Sequence, residues 1–131
     1  MLNTARVRDF RQIQVWEKAH QLTLEIYQVT ARFPKEELYG LTSQLRRAAA
    51  SIAANIAEGF GRGGDIELAR FLQIAIGSAY EVEYHVLLAR DLGIITREVN
   101  EPLQAHIIEV KRMLAALLLK VKADSKRKTR L

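Results

Sequence analysis

Cysteine is absent from the 131 residues, which excludes disulfides and thiolate metal sites and makes a reducing cytoplasm the expected home. Proline occurs only twice, at Pro34 and Pro102, and glycine seven times. So few breaking residues suit a small number of long elements. No uninterrupted apolar run approaches the roughly 20 residues of a membrane span. The opening segment MLNTARVRDF has no apolar stretch of signal-peptide length, so no membrane partner is expected. No stretch alternates in the way a half-buried strand would. An excess of one charge is also missing from most of the chain. Residues 1–119 balance, and the whole net charge of +5 sits in residues 120–131, KVKADSKRKTRL. The length suits one domain, and 49% hydrophobic residues are enough to build its core.

What is present is helical periodicity. The spacing predicts helices over about 11–32, 42–58, 65–92 and 97–121, with a basic tail at 122–131. In the first helix Trp16, Ala19, Thr23, Ile26, Tyr27, Thr30 and Phe33 share one broad face with Val15, Leu22 and Val29, and Pro34 ends it. Gly59 stands where a left-handed helix end is wanted, Asp65 is a candidate cap for the third helix, and Gly93 stops that helix. Gly77 and Ser78, midway along the third helix, are expected to let the Ala-rich second helix approach closely. In the fourth helix Leu103, Ile107, Val110, Leu114, Leu117 and Val121 repeat at 4-3-4-3-4, the seam of helices packed near 20°. Four such helices with short connections predict an all-α, antiparallel, up-and-down four-helix bundle.

The densest segment is Tyr39–Gly59, YGLTSQLRRAAASIAANIAEG. At about 100° per residue, Leu45, Ala48, Ala49, Ile52 and Ile56 fall on one face. Ala50, Ala53, Ala54 and Ala57 form a second. A narrow polar line of Gln44, Arg47, Ser51, Asn55 and Glu58 runs between them. With Ser78 and Glu81 of the third helix, this line reads as a buried structural network that fixes register. The competing reading is a polar pocket or pore lining. Second apolar stripes recur at Ala69, Ile76, Tyr80 and Leu87, and at Ile108, Ala115 and Leu119. One bundle needs one apolar face per helix, so these residues are the expected oligomer interface.

Residues Val15–Ala19 (VW..A), Tyr27–Pro34 (Y..T..FP) and Glu37–Gly59 (E.YGLTSQLRRAA.SI.ANIAEG) resemble the 23S rRNA intervening-sequence, or S23-type, family. Arg70–Glu83 (RFLQIAIGSAYEVE) resembles that family's third helix. The resemblance implies a bundle assembled into a ring-shaped homopentamer. It also implies kinship with the accessory variability protein of diversity-generating retroelements, which binds nucleic acid and a reverse transcriptase. The expected partners are therefore a second copy of the chain, RNA or DNA, and a reverse transcriptase. The expected phosphate-binding residues are Arg46, Arg47, Lys111, Arg112, Lys120, Lys122, Lys126, Arg127, Lys128 and Arg130.

Catalysis is not expected. The di-metal pattern of helical bundles needs a Glu-x-x-His pair on each of two helices, and only Glu17 and His20 form one. Glu81 and His85 suit a helix-surface pair. Ser43, Ser51 and Ser78 lie in no nucleophile elbow. No cofactor motif is present: GFGRGG, residues 59–64, follows no strand and lacks the lysine of a phosphate loop. Trp16, Tyr27, Phe33 and Tyr39 are expected in the core rather than as base-stacking residues. A metal-binding enzyme is thus the weakest alternative, and a protein-interaction scaffold the strongest.

Overall fold

A computed structural model describes residues 9–130, with side chains through Thr129. A single 3₁₀ turn at Phe10–Gln12 precedes four α-helices: α1 (Gln14–Thr30), α2 (Ser43–Gly61), α3 (Asp65–Asp91) and α4 (Arg97–Arg130). There is no strand among the described residues. The main contacts run from α1 to α2, α2 to α3, α3 to α4 and α4 back to α1, so each helix meets two neighbours. Together they enclose one core, with Leu22, Ile26, Leu45, Ile52, Leu72 and Ile107 among its fully buried side chains. Arg47 lies opposite Glu81, Ser51 opposite Ser78 and Gly59 opposite Phe71, so residue numbers ascend along α2 as they descend along α3.

Several boundaries differ from the periodicity. The first helix does not begin at Arg11, because Asp9 accepts the Arg11 backbone N–H at 3.0 Å and sets up the separate turn. Ile13 is extended, and α1 starts after it. Helix α2 continues past Gly59, and Gly63, with φ of 81°, takes the left-handed conformation instead. Asp65 is the first residue of α3 rather than its cap. Gly93, with φ of 74°, ends α3 as expected. The Thr96 hydroxyl accepts the Val99 N–H at 3.2 Å and caps α4. The basic segment 122–130 is no separate tail, since α4 runs through Arg130.

The close approach between α2 and α3 is made by Gly59, not Gly77. A Cβ on Gly59 would lie 2.9 Å from Phe71 Cβ and 3.1 Å from Leu68 Cδ1. Gly77 faces open space, with nothing within 4 Å. In α4 the buried seam is Leu103, Ile107, Val110, Leu114, Leu118 and Val121. Leu118 replaces Leu117, because a straight 3.6-residue helix drifts from a strict heptad repeat. Phe33 is buried, but Tyr39 is 92% exposed and Tyr27 lies at the surface, so neither tyrosine is a core residue.

Candidate nucleic-acid interface

The polar line of α2 meets α3 as a chain of short contacts. Arg47 Nη2 donates to Gln44 Oε1 at 2.6 Å and to Glu81 Oε2 at 2.9 Å. His85 Nε2 lies 3.3 Å from the same Glu81 oxygen, and its buried Nδ1 has no hydrogen-bond partner among the described residues. Farther along, Ser51 Oγ and Ser78 Oγ share a hydrogen bond of 2.9 Å. Asn55 Nδ2 donates to Ser51 O at 2.8 Å and to Ser51 Oγ at 2.9 Å. Glu58 pairs with Arg62 at 2.8 Å and not with Arg47.

The line is less buried than expected. Arg47 is 59% and Glu81 37% exposed. At that exposure the ion pair contributes at most about 1 kcal/mol. Only the Ser51–Ser78 contact lies within the helix interface, where an unpaired hydroxyl would carry a desolvation cost. These groups position α2 on α3. They include no activated nucleophile, and among the described residues no cluster of three metal-ligating side chains exists.

The cations expected to meet phosphate divide into two sets. Five of them are occupied within the fold, Arg47 by the Gln44 and Glu81 contacts above. Arg46 donates from Nε to Thr30 Oγ1 at 2.8 Å and from Nη2 to Tyr27 O at 3.3 Å, and its guanidinium lies 4.6 Å from the centre of the Tyr27 ring. A cation suits the C-terminus of α1, so Arg46 clamps that helix end. Lys111 pairs with Glu83 at 2.7 Å and lies 4.1 Å over the Tyr80 ring. Lys128 reaches Asp65 at 2.7 Å, and Arg127 reaches Asp124 at 2.8 Å.

The second set is Arg112, Lys120, Lys122 and Lys126. All four are exposed and have no hydrogen bond or ion pair among the described residues. They lie on the outward side of α4, around Ala115, Ala116, Ala123 and the 71% exposed Leu119. The side chain of Arg130 lies outside the described residues.

The expected oligomer surface is also redistributed. Ala69 and Ile76 pack against the protomer's own core, and Leu87 is half-buried. Tyr80, Ile108, Ala115 and Leu119 are exposed. The outer face of α3 adds Ile66, which is 79% exposed, with Ile74 and Tyr84. Sequence reasoning missed this face, although Ile66, Arg70, Gln73, Gly77, Tyr80 and Tyr84 repeat at 4-3-4-3-4. The signal was hidden because Gly77 and the polar members broke the apolar stripe. His106 Nδ1 lies 2.6 Å from Oε1 of Glu25 on α1.

Comparison with known proteins bears on this geometry. The family model for the 23S rRNA-intervening sequence protein matches residues 11–116. The chain belongs to the 23S rRNA-intervening sequence protein family. A solved member of the S23 ribosomal protein family from Bacteroides thetaiotaomicron, described as a protein of unknown function, has a similar structure. The TM-score is 0.75 at 25% identity, over 80% of this chain and 95% of that one. A search of curated proteins found no match. The match to the 23S rRNA-intervening sequence protein model takes in α1, α2, α3 and the polar line, and it stops before Lys120, Lys122 and Lys126. No helix of the described residues is long and apolar enough to cross a membrane.

Proposed function

We propose that this member of the 23S rRNA-intervening sequence protein family is a non-enzymatic adaptor that holds nucleic acid by its phosphates along the outer side of α4. The observation that carries the reading is the row of four exposed cations, Arg112, Lys120, Lys122 and Lys126, none with an acidic partner among the described residues. Exposed, unpaired cations release counterions when they meet phosphate and leave no buried carboxylate behind. Arg46 and Lys111, by contrast, would first have to break their contacts inside the fold.

The protomer is an antiparallel, up-and-down bundle that assembles into a ring-shaped homo-oligomer, and a pentamer follows from the family resemblance. Self-assembly is supported by the outer face of α3, where Ile66, Ile74, Tyr80 and Tyr84 surround the open Gly77. A ring would repeat the α4 cations in every copy and multiply weak phosphate contacts. The same α3 face supports a second reading, a scaffold that carries a protein partner such as a reverse transcriptase. A cytoplasmic setting suits either.

The test is the salt dependence of binding. Replacing Lys120, Lys122 and Lys126 together with Gln removes up to three phosphate contacts. The slope of log K against log salt should then become shallower by about 2 to 3. An unchanged slope refutes the α4 site. A protein partner retained from native lysate after nuclease treatment, with no measurable nucleic-acid affinity of the purified protein, selects the scaffold reading.

A further inference from the structure

The last turn of α1, the α3–α4 connection and the start of α4 border a cavity of about 320 Å³. Its apolar wall follows from local structure. Val29 and Phe33 stand four positions apart, and the helical path persists between them because the Phe33 N–H donates to Thr30 O at 3.0 Å. Gly93 reverses the chain after α3, and the Ile94 N–H returns to Ala89 O at 2.8 Å. That reversal brings Ile94 and Ile95 to the same wall, and α4 adds Val99. Phe33 and Ile95 are buried, while Val29, Ile94 and Val99 are half-buried. The remaining lining is polar and exposed: Gln28 and Arg32, again four apart, and Thr96 at the start of α4.

Arg32 decides which chemistry fits. Its guanidinium has no hydrogen bond or ion pair among the described residues. No carboxylate lines the cavity, so nothing within it answers that charge. A cationic ligand would find no partner there. A polyphosphate needs several charged donors, and Arg32 is the one cation in the lining. A wholly apolar molecule would leave the guanidinium without a partner. The volume lies at the small end of ligand cavities, which suits one ring or a short chain. Apolar walls with a few converging polar groups are the usual composition of such sites. The α4 cations take no part, since Val99 and Lys120 are separated by about 30 Å along the helix.

We infer that this cavity binds a small monocarboxylate with a compact apolar body. The body lies against Val29, Phe33, Ile95 and Val99, and the carboxylate meets Arg32. A guanidinium offers two parallel N–H donors to a carboxylate, so it fixes orientation as well as charge. Two further donors stand at the same lining. The Gln28 side-chain amide has no hydrogen-bond partner among the described residues. The Thr96 hydroxyl accepts the Val99 N–H and keeps its own proton to give. This site is separate from the phosphate-binding surface of α4, so the failure of either leaves the other standing.

The probes are phenylpropionate and phenylpropanamide, alike in shape and different in charge. In an NMR titration of the full chain at neutral pH, the acid should shift the backbone amide signals of Val29, Arg32, Ile94 and Thr96. Those of Lys120, Lys122 and Lys126 should stay in place. The acid should bind about fivefold more tightly than the amide, the upper scale of an exposed ion pair. Arg32→Gln, at an exposed position, should bring the two probes to equal affinity while the apolar contact keeps both bound. Arg32→Lys should restore part of the preference. Equal affinity of the two probes for the unchanged protein, or no shift at these residues with either, overturns the site. Acetyl-glycyl-phenylalanine presents the same phenylalkyl carboxylate as the end of a peptide. If it binds about tenfold more tightly than the free acid, the cavity takes a protein C-terminus, and the small-molecule assignment is overturned.

Discussion

Adding one methyl group at Gly59 should destabilise the protein, although it makes a better helix former. Alanine in place of glycine gains about 1 kcal/mol in a helix interior. At Gly59 the new Cβ would stand 2.9 Å from Phe71 Cβ, 3.1 Å from Leu68 Cδ1 and 3.5 Å from Leu68 O. Comfortable carbon–carbon contact is about 3.5–4.0 Å, so roughly 0.6–1 Å of separation must open between α2 and α3. Phe71 Cβ is tied to its backbone and cannot swing aside, so α3 itself has to move. Overpacking of this kind costs about 1–3 kcal/mol. The overpacking outweighs the propensity gain, leaving a net loss of about 1 kcal/mol, or about 4 °C in Tm for a chain of this length. Gly77 is the control. It lies within α3 with nothing within 4 Å, so Gly77→Ala should raise the stability of the dilute protomer by up to about 1 kcal/mol. Both variants are read by urea unfolding followed by circular dichroism at low protein concentration. If Gly59→Ala raises the unfolding midpoint as Gly77→Ala does, the close contact of α2 with α3 at this position is refuted.

Other outcomes follow from the same contacts. Ser51→Ala and Ser78→Ala should each cost about 1 kcal/mol, and the double variant less than their sum, because either single change already removes the shared hydrogen bond and Ser51→Ala leaves the Ser78 hydroxyl without it; additive losses in urea unfolding would refute the shared hydrogen bond. Leu118→Ala should lose about 2–4 kcal/mol and Leu119→Ala under about 0.5 kcal/mol, since Leu118 lies in the core and Leu119 is exposed; the reverse order would refute the place of Leu118 in the buried seam. The Arg70 hydrogen bond holds the Glu67 carboxyl below its ordinary pKa. Its small stabilising effect is present above the unfolded carboxylate pKa and is lost as pH falls through the lowered folded value. A carbon-detected NMR titration should give a Glu67 midpoint that rises toward the ordinary value in Arg70→Ala, and an unmoved midpoint contradicts the pairing.

The core was legible because burial along a helix follows local periodicity. Leu45, Ala48, Ala49, Ile52 and Ile56 are buried as their spacing requires, and Ser51 finds Ser78 because both interrupt apolar faces at matching heights. The candidate site was less legible. Lysines and arginines that look alike in KVKADSKRKTRL have different fates, since Lys128 finds Asp65 on α3 while Lys122 and Lys126 find no partner among the described residues. The stacking of His20 on Trp16 was not legible either. The spacing of the two residues suits helix-face neighbours, and only the ring orientation shows the two planes to be parallel.

By itself, then, the sequence determined the number and order of the helices, their inward faces and the family resemblance. Each of these depends on residues within a few turns of one another. Tertiary structure alone decided which glycine permits close packing, which leucine enters the α4 seam and which cations remain free. Those outcomes depend on the crossing and rotation of whole helices. Arg46 meets Thr30 across 16 positions and Lys128 meets Asp65 across 63, distances over which local periodicity carries no information about the partner.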